Sequence, residues 1–203
     1  METPQNTPVL SLNALRSGDR QELGRLIDQY SPLIYRLLLS MLRDPSAAED
    51  ALQETFIKAM RALPEFEGRS SLSTWLYRIA SNEALMMLRK KHPEVISLEQ
   101  GGQDEEGEAE PIQIVDWCCL PESELMSSEA RQQIDAAIGQ LPESLRLVFL
   151  LRDVEGLSIR ETAQVLNLSE QNVKTRLLRA RLRLRELLSG YYSERMAMRR
   201  ENE

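Results

Sequence analysis

The chain has 203 residues, enough for one or two small domains, each able to bury a core. Aromatic residues make up only 5% of it while Leu, Arg, Glu and Ala abound, a composition that favours helices throughout. The formal charge of −7 excludes a uniformly basic chain, and no apolar run approaches the length of a bilayer span.

Residues 1–18 read as a tail, with Pro4 and Pro8 opposing regular structure and Gly18 ending one or two helical turns. Asp19 is placed to cap a helix striped by Leu23, Leu26, Ile27 and Tyr30. Ser31 followed by Pro32 fits an N-cap with proline in the first turn, so a second helix is expected to restart there. It carries Leu33, Ile34, Leu37, Leu38, Met41 and Leu42 and stops around Asp44 and Pro45. Asp44 or Ser46 opens the next helix, with Leu52, Phe56, Ala59, Met60 and Leu63 facing inward. Its other face holds Glu49, Asp50, Gln53, Glu54, Lys58 and Arg61, which spacing alone reads as solvated. A loop pivoting on Gly68 leads to a helix from about Ser73 through Tyr77, Ile79, Ala80, Leu85 and Leu88. Its last turn, Arg89, Lys90 and Lys91, either suits the helix dipole or meets phosphate; spacing leaves both open.

Between His92 and Arg131 there is no Lys or Arg, and acid accumulates. Residues 93–126 are Gly-rich, acidic and aperiodic, the pattern of a flexible acidic linker. Within it, Trp117, Cys118, Cys119 and Leu120 form a small apolar anchor. Adjacent cysteines rarely bridge each other, and with His92 as the only histidine the four ligands of a zinc site are not available. A second domain, 127–190, begins with a helix striped by Ile134, Ala137, Ile138 and Leu141 and continues with a very apolar helix to Asp153, closed by Gly156. A polar C-terminal tail, 191–203, completes the chain. The fold class is all-α: two small helical domains, 19–92 and 127–190, joined by the linker.

The stretch from Gly156 to Leu188 carries the chemistry. Ser158 with Glu161 has capping-box spacing for a helix running to Leu166; Asn167 can adopt the left-handed conformation a tight turn needs, and Ser169 can cap the next helix. At about 100° per residue, Val173, Leu177, Ala180, Leu184 and Leu187 form its buried stripe. Lys174, Arg181 and Arg185 flank the stripe on one side, Arg176 and Arg183 on the other, with Gln171, Thr175, Leu178 and Arg179 opposite it. Two basic rails suit two phosphate backbones, and the face between them suits base edges and thymine methyls. This is a helix-turn-helix, and a DNA-binding one.

Four stretches in order give the chain a resemblance to bacterial RNA polymerase sigma factors, in the compact extracytoplasmic-function (ECF) group with sigma-2 and sigma-4 domains only. DALQETFIKAMRAL (50–63) resembles region 2.2, and FEGRSSLSTWLYRIASNEA (66–84) resembles regions 2.3 and 2.4. LPESLRLVFLLRDVEGLSIRETAQVL (141–166) resembles region 4.1 and the start of 4.2, and NLSEQNVKTRLLRARLRLRELL (167–188) the promoter-reading helix. The resemblance implies that Asp50, Gln53, Glu54 and Phe56 dock on the clamp helices of the polymerase largest subunit. It implies −10 contacts from Arg69, Ser70, Ser71, Arg78 and Asn82, holding a flipped base as the duplex melts, with Trp75 in the core. Leu72 and Ser73 stand where such chains often carry aromatic residues. For the −35 element it implies Gln171, Lys174, Thr175, Arg176, Leu178, Arg179 and Arg183.

The implied partners are core RNA polymerase (clamp helices and beta flap), promoter DNA and an anti-sigma factor able to hold the protein at the inner membrane. The implied regulon answers stress or envelope signals. No cofactor, metal, small-molecule substrate or catalytic residue is expected, since no nucleophile, paired-acid site or phosphate loop is present, and a cytoplasmic location is expected. The opposite charges of linker and recognition helix lead us to expect a compact free form. Two rival readings are a helix-turn-helix regulator acting without core polymerase and a helical adaptor whose basic helix binds an acidic partner.

Overall fold

The computed structural model describes residues 10–91 and 128–200, with side chains described up to Gly190. It contains eight α-helices and no strand among the described residues. The linker, with its Cys118 and Cys119 anchor, lies outside them.

Helix α1 (Leu12–Arg16) is capped by Ser11, and Gly18, at φ 77°, turns the chain into α2 (Arg20–Leu42). Asp19 caps α2 as expected, its carboxylate accepting from the Glu22 amide. The expected restart at Ser31 is not there: α2 runs unbroken through Pro32. Proline removes the amide that would meet the Asp28 carbonyl, but both residues are on the exposed side, where water can take that carbonyl. The buried residues Leu26, Ile34, Leu37, Leu38 and Met41 continue across the site on the opposite face. Packing along that face outweighs the local stop signal.

Arg43, at φ 57°, closes α2, and Asp44 caps α3 (Pro45–Ala62), with proline in the first turn. Ala48, Ala51 and Ala59 of α3 are fully buried, and their small side chains let α3 approach both α2 and α4. A 3-10 turn (Leu63–Glu65) follows, and Phe66 then packs against Trp75 with ring centroids 4.8 Å apart. Trp75 is thus a core residue. Helix α4 (Leu72–Lys91) starts at a Ser71 cap, whose hydroxyl accepts from the Thr74 amide at 3.1 Å. Arg16 of α1 donates to the Phe66 carbonyl and so ties the loop before α4 to the domain's start.

In the C-terminal half, α5 (Ser128–Gln140) leads into α6 (Glu143–Phe149), which ends in a π-helical turn (Leu150–Val154). The Glu155 amide reaches back to Leu150, and Gly156, at φ 77°, reverses the chain. Helix α7 (Ile159–Leu166) begins with the full capping box of Ser158 and Glu161. Asn167 closes it at φ 53°, ψ 46°, the left-handed turn read from sequence. Ser169 accepts from the Asn172 amide, and α8 (Glu170–Arg200) begins. Its buried stripe is Val173, Leu177, Ala180, Leu184 and Leu188, with Leu187 only partly buried. Helix α8 does not end near Leu188 but continues to Arg200, because Ser189 and Gly190 sit in a helix already propagating and are followed by good helix formers.

The two halves pack together. Helix α7 lies along α4, while α5, α6 and the π turn meet α2. Arg146 of α6 is buried and donates to three carbonyls: Met41 of α2 at 3.0 Å, Gly139 at 2.7 Å and Leu141 at 2.8 Å. Burial lowers its pKa from the usual guanidinium value. Arg43 donates to both the carbonyl and the carboxylate of Asp135.

Two stability predictions follow from these groups. Arg146→Ala leaves buried carbonyls without donors, so we expect a loss of about 2–3 kcal/mol in urea unfolding. Ser158→Ala should cost about 1 kcal/mol at neutral pH through the lost cap. The hydrogen bonds from the Ser158 hydroxyl and amide depress the Glu161 pKa. Its contribution is therefore complete above the ordinary carboxylate range, about 4.3, and lost as pH falls through the depressed folded value. Urea melts at pH 7 and pH 3 should show the gap between Ser158→Ala and the parent narrowing in acid.

Candidate nucleic-acid interface

Helix α8 presents its reading face as the sequence indicates. Gln171, Lys174, Leu178 and Arg179 are exposed, Leu178 to 59%, while Thr175 is half-buried at the edge. A leucine this exposed beside cations suits contact with a thymine methyl better than any role in the core. Lys174 and Arg176 make no ion pair among the described residues. Arg183 pairs with Glu186 at 2.7 Å, a contact between exposed groups that phosphate can displace. Arg181 is held by both carboxylate oxygens of Asp153, at 2.9 and 2.8 Å, which raises its pKa and fixes the rail it belongs to.

The second constellation sits where α3 turns into α4. Arg69 is exposed and paired with Glu67, and Gly68, at φ 75°, makes the sharp bend between them. Arg78 and Asn82 are exposed one turn apart on α4. Ser70 is half-buried beside them. Ser71 belongs to the helix cap, its hydroxyl shared with the Ser73 and Thr74 hydroxyls at 2.9 and 2.7 Å. A cleft of about 570 Å³ separates Arg69, Ser70 and Arg78 from Gln164 and Asn167 of the helix-turn-helix. Asn82 and Arg89 face a second cleft, of about 440 Å³, opposite Asn172 and Arg176. The residues expected at the −10 element therefore border clefts whose far walls belong to the helix-turn-helix, with Arg176 the member of the −35 set that lines one of them.

The third face runs along α3. Asp50, Gln53 and Glu54 share an outward stripe, with Glu54 3.6 Å from Lys58. Lys58 is anchored in turn by the buried carboxylate of Glu83 at 2.7 Å, a hydrogen bond that raises its pKa. Phe56 is not on this face: it is 6% exposed and packs in the core, as its place on the inward stripe required. Ile57 is the apolar residue that continues the stripe, 42% exposed, and Met60, expected inside, is 38% exposed beside it. Helical spacing of three and four from Glu54 and Gln53 already pointed to Ile57. Among the described residues no cluster of His, Cys, Asp or Glu suits a metal ion, and no helix is long and apolar enough to cross a membrane.

Together these features define a two-domain helical DNA-binding protein with a helix-turn-helix in one domain and a charged, partly apolar docking helix in the other. The family model for Sigma-70 region 2 matches residues 26–93, and that for Sigma-70, region 4, matches residues 131–184. The chain is 36% identical over 178 residues to the ECF RNA polymerase sigma factor SigW of Bacillus subtilis (strain 168), covering 87% of this chain and 94% of that protein. It is 33% identical over 183 residues to the ECF RNA polymerase sigma-E factor of Escherichia coli (strain K12), covering 87% and 92%. A solved structure of the sigma factor RpoE in complex with the anti-sigma factor NepR from Bartonella quintana superposes with a TM-score of 0.61 at 25% identity, over 83% of this chain and 98% of that one. That of CnrH in complex with the cytosolic domain of CnrY shares the fold, with a TM-score of 0.63 at 23% identity, over 88% and 95%. The chain belongs to the ECF sigma factors of RNA polymerase.

Each phosphate neutralised on duplex DNA releases counterions, so affinity falls with salt in proportion to the contacts made. Lys174→Ala should lower the slope of log affinity against log salt by about one, measured by fluorescence anisotropy on duplex DNA.

Proposed function

We propose that this ECF sigma factor divides its work among three faces. In the sigma-2 domain (19–92), the α3 stripe of Asp50, Gln53, Glu54 and Ile57 docks on the clamp helices of the polymerase largest subunit. The loop and helix bearing Arg69, Ser70, Arg78 and Asn82 engage the −10 element, cations on phosphate and uncharged groups on a displaced base. Ser71 serves there by holding the start of α4. In the sigma-4 domain (127–190), Gln171, Lys174, Thr175, Leu178 and Arg179 read the −35 element in the major groove, with Arg176 and Arg183 on phosphate. This domain also meets the beta flap. The observation that carries this reading is the exposed, cation-flanked face of α8 on a fully capped helix-turn-helix.

The chain acts by binding and carries out no reaction of its own. It works in the cytoplasm for a stress or envelope-signal regulon. By analogy with the complexes of its structural neighbours, an anti-sigma factor restrains it, one anchored at the inner membrane.

Run-off transcription with core polymerase, with and without the protein, on a promoter library tests the proposal. Initiation from a shared −35 and −10 pair only when the protein is present supports it. Operator binding by the chain alone, with no effect on the polymerase, would transfer the case to an ordinary helix-turn-helix regulator. Arg179→Ala should weaken −35-dependent initiation by about 1–3 kcal/mol, the size of one base contact, and leave polymerase binding intact. Glu54→Lys should do the reverse, weakening polymerase capture in a pull-down.

A further inference from the structure

We propose that Glu83 is a positioning residue for polymerase capture: by drawing Lys58 toward α4, it leaves the carboxylate of Glu54 open to a cation of the partner. This rests on the docking face proposed for α3. Burying a carboxylate is costly unless its oxygens are matched. Glu22 and Glu155 meet that demand in full. The Ser11 amide and Arg25 donate to the two oxygens of Glu22 at 2.6 and 3.2 Å. Arg36 of α2, at 2.9 and 2.8 Å, and the Tyr77 hydroxyl of α4, at 2.6 Å, donate to those of Glu155. Glu83 differs. Its side chain is 5% exposed, Oε1 accepts from Lys58 Nζ at 2.7 Å, and Oε2 has no hydrogen-bond partner among the described residues.

Helical spacing alone would pair Lys58 elsewhere. Glu54 and Lys58 stand four apart on α3 with the acid N-terminal, the order in which such pairs close best. In the structure that pair is 3.6 Å long, while the contact with Glu83, on a different helix, is 2.7 Å. The Glu83 carboxylate sits where water is scarce, so its attraction for the ammonium is screened less than that of Glu54, which is 42% exposed. The Lys58 pKa is raised accordingly, with the Glu83 hydrogen bond as the largest cause and Glu54 a lesser one.

The charge of the docking face follows from this. Lys58 is neutralised from the α4 side, and Asp50, exposed and without an ion pair among the described residues, stands one turn from Glu54. Two carboxylates are thus offered to the partner, beside the exposed Ile57 and Met60. With Glu83 uncharged, Glu54 becomes the one acid within reach of Lys58, and the ammonium settles on it. An incoming cation then meets a site already filled.

A plain strut between α3 and α4 would join the same two groups, but the two roles rank the variants in opposite order. For stability Lys58 matters more: losing it leaves Glu83 buried and uncompensated, whereas losing the Glu83 charge leaves a partly exposed ammonium that water accepts. For capture Glu83 matters more, because only its loss turns Lys58 onto Glu54. Removing the lysine as well clears Glu54 again, so the double change restores the docking face.

The test measures affinity of the full chain for core RNA polymerase by fluorescence anisotropy, with urea unfolding alongside. It compares the parent with Glu54→Gln, Glu83→Gln, Lys58→Met and the double variant Glu83→Gln/Lys58→Met. We expect Glu83→Gln to weaken capture about two- to fivefold, the range of one exposed ion pair. The double variant should bind like the parent, although Lys58→Met is the variant that unfolds at the lowest urea concentration. Should Glu83→Gln fail to fold, Glu83→Asp, which keeps the charge but draws it back by one methylene, takes its place. Its loss of capture should be smaller and again be reversed by Lys58→Met. Affinities that follow urea stability across the set, or a double variant as weak as Glu83→Gln, would overturn the proposal. Glu83→Gln binding like the parent while Glu54→Gln binds weakly removes the role of Glu83 and leaves the docking face standing. Glu54→Gln binding like the parent strikes the docking face itself, and the role of Glu83 with it.

Discussion

The guanidinium of Arg146 is the contact on which the joined structure depends. Every helix leaves carbonyls at its C-terminus without intrahelical donors, and here the ends of α2 and α5 come together where water is excluded. One planar side chain with several fixed donors serves Met41, Gly139 and Leu141 at once. A lysine could not replace it, having a single point of charge with no fork. The pairing of Arg43 with Asp135 lies alongside, so two arginines, one from each half, fasten the C-terminal end of α2 to α5.

Charge is distributed along the chain to match its separate tasks. The acid that makes the whole protein −7 is concentrated outside α8, which keeps a locally basic surface. Where cations of α8 are paired, they are paired to different ends: Arg181 is pinned by Asp153 and rigid, while Arg183 shares an exposed Glu186 that competes weakly. On α3 the sign is reversed, and the acidic stripe is steadied by Lys58 from behind. Opposite potentials on the two halves suit two different partners, one a protein and one a nucleic acid.

The local grammar of the sequence was legible. The caps at Asp19, Asp44 and Ser158 and the left-handed turn at Asn167 are decided within four residues of backbone, and each stands where its residue type requires. The apolar stripes gave most of the core for the same reason. Pro32 misled because a stop signal acts locally, whereas the buried face of α2 is continuous on both sides of it. Phe56 and Ile57 are adjacent, and a turn of 100° separates core from surface: the apolar stripe placed Phe56 inside, where it is, and it was the resemblance that set it among the docking residues. The pairing of Glu155 with Arg36 joins positions 119 residues apart, and no periodicity can reveal it. The exposed face of α8 could be read in advance from its spacing; that the loop and helix bearing Arg69 and Arg78 border a cleft walled by Gln164 and Asn167 could not.

The π turn before Glu155 has a consequence for descent. A π-helical turn holds one residue more than the α-helix it interrupts, and the Glu155 amide bonds to Leu150 five positions back rather than to Leu151. That extra residue sets the azimuth at which Glu155 leaves the helix. A related gene lacking a single codon in this turn would encode the same Arg36, Tyr77 and Glu155, yet aim the carboxylate about 100° away. Two chains alike in every such residue could therefore differ in the coupling between their halves, through an insertion that an alignment registers as one gap.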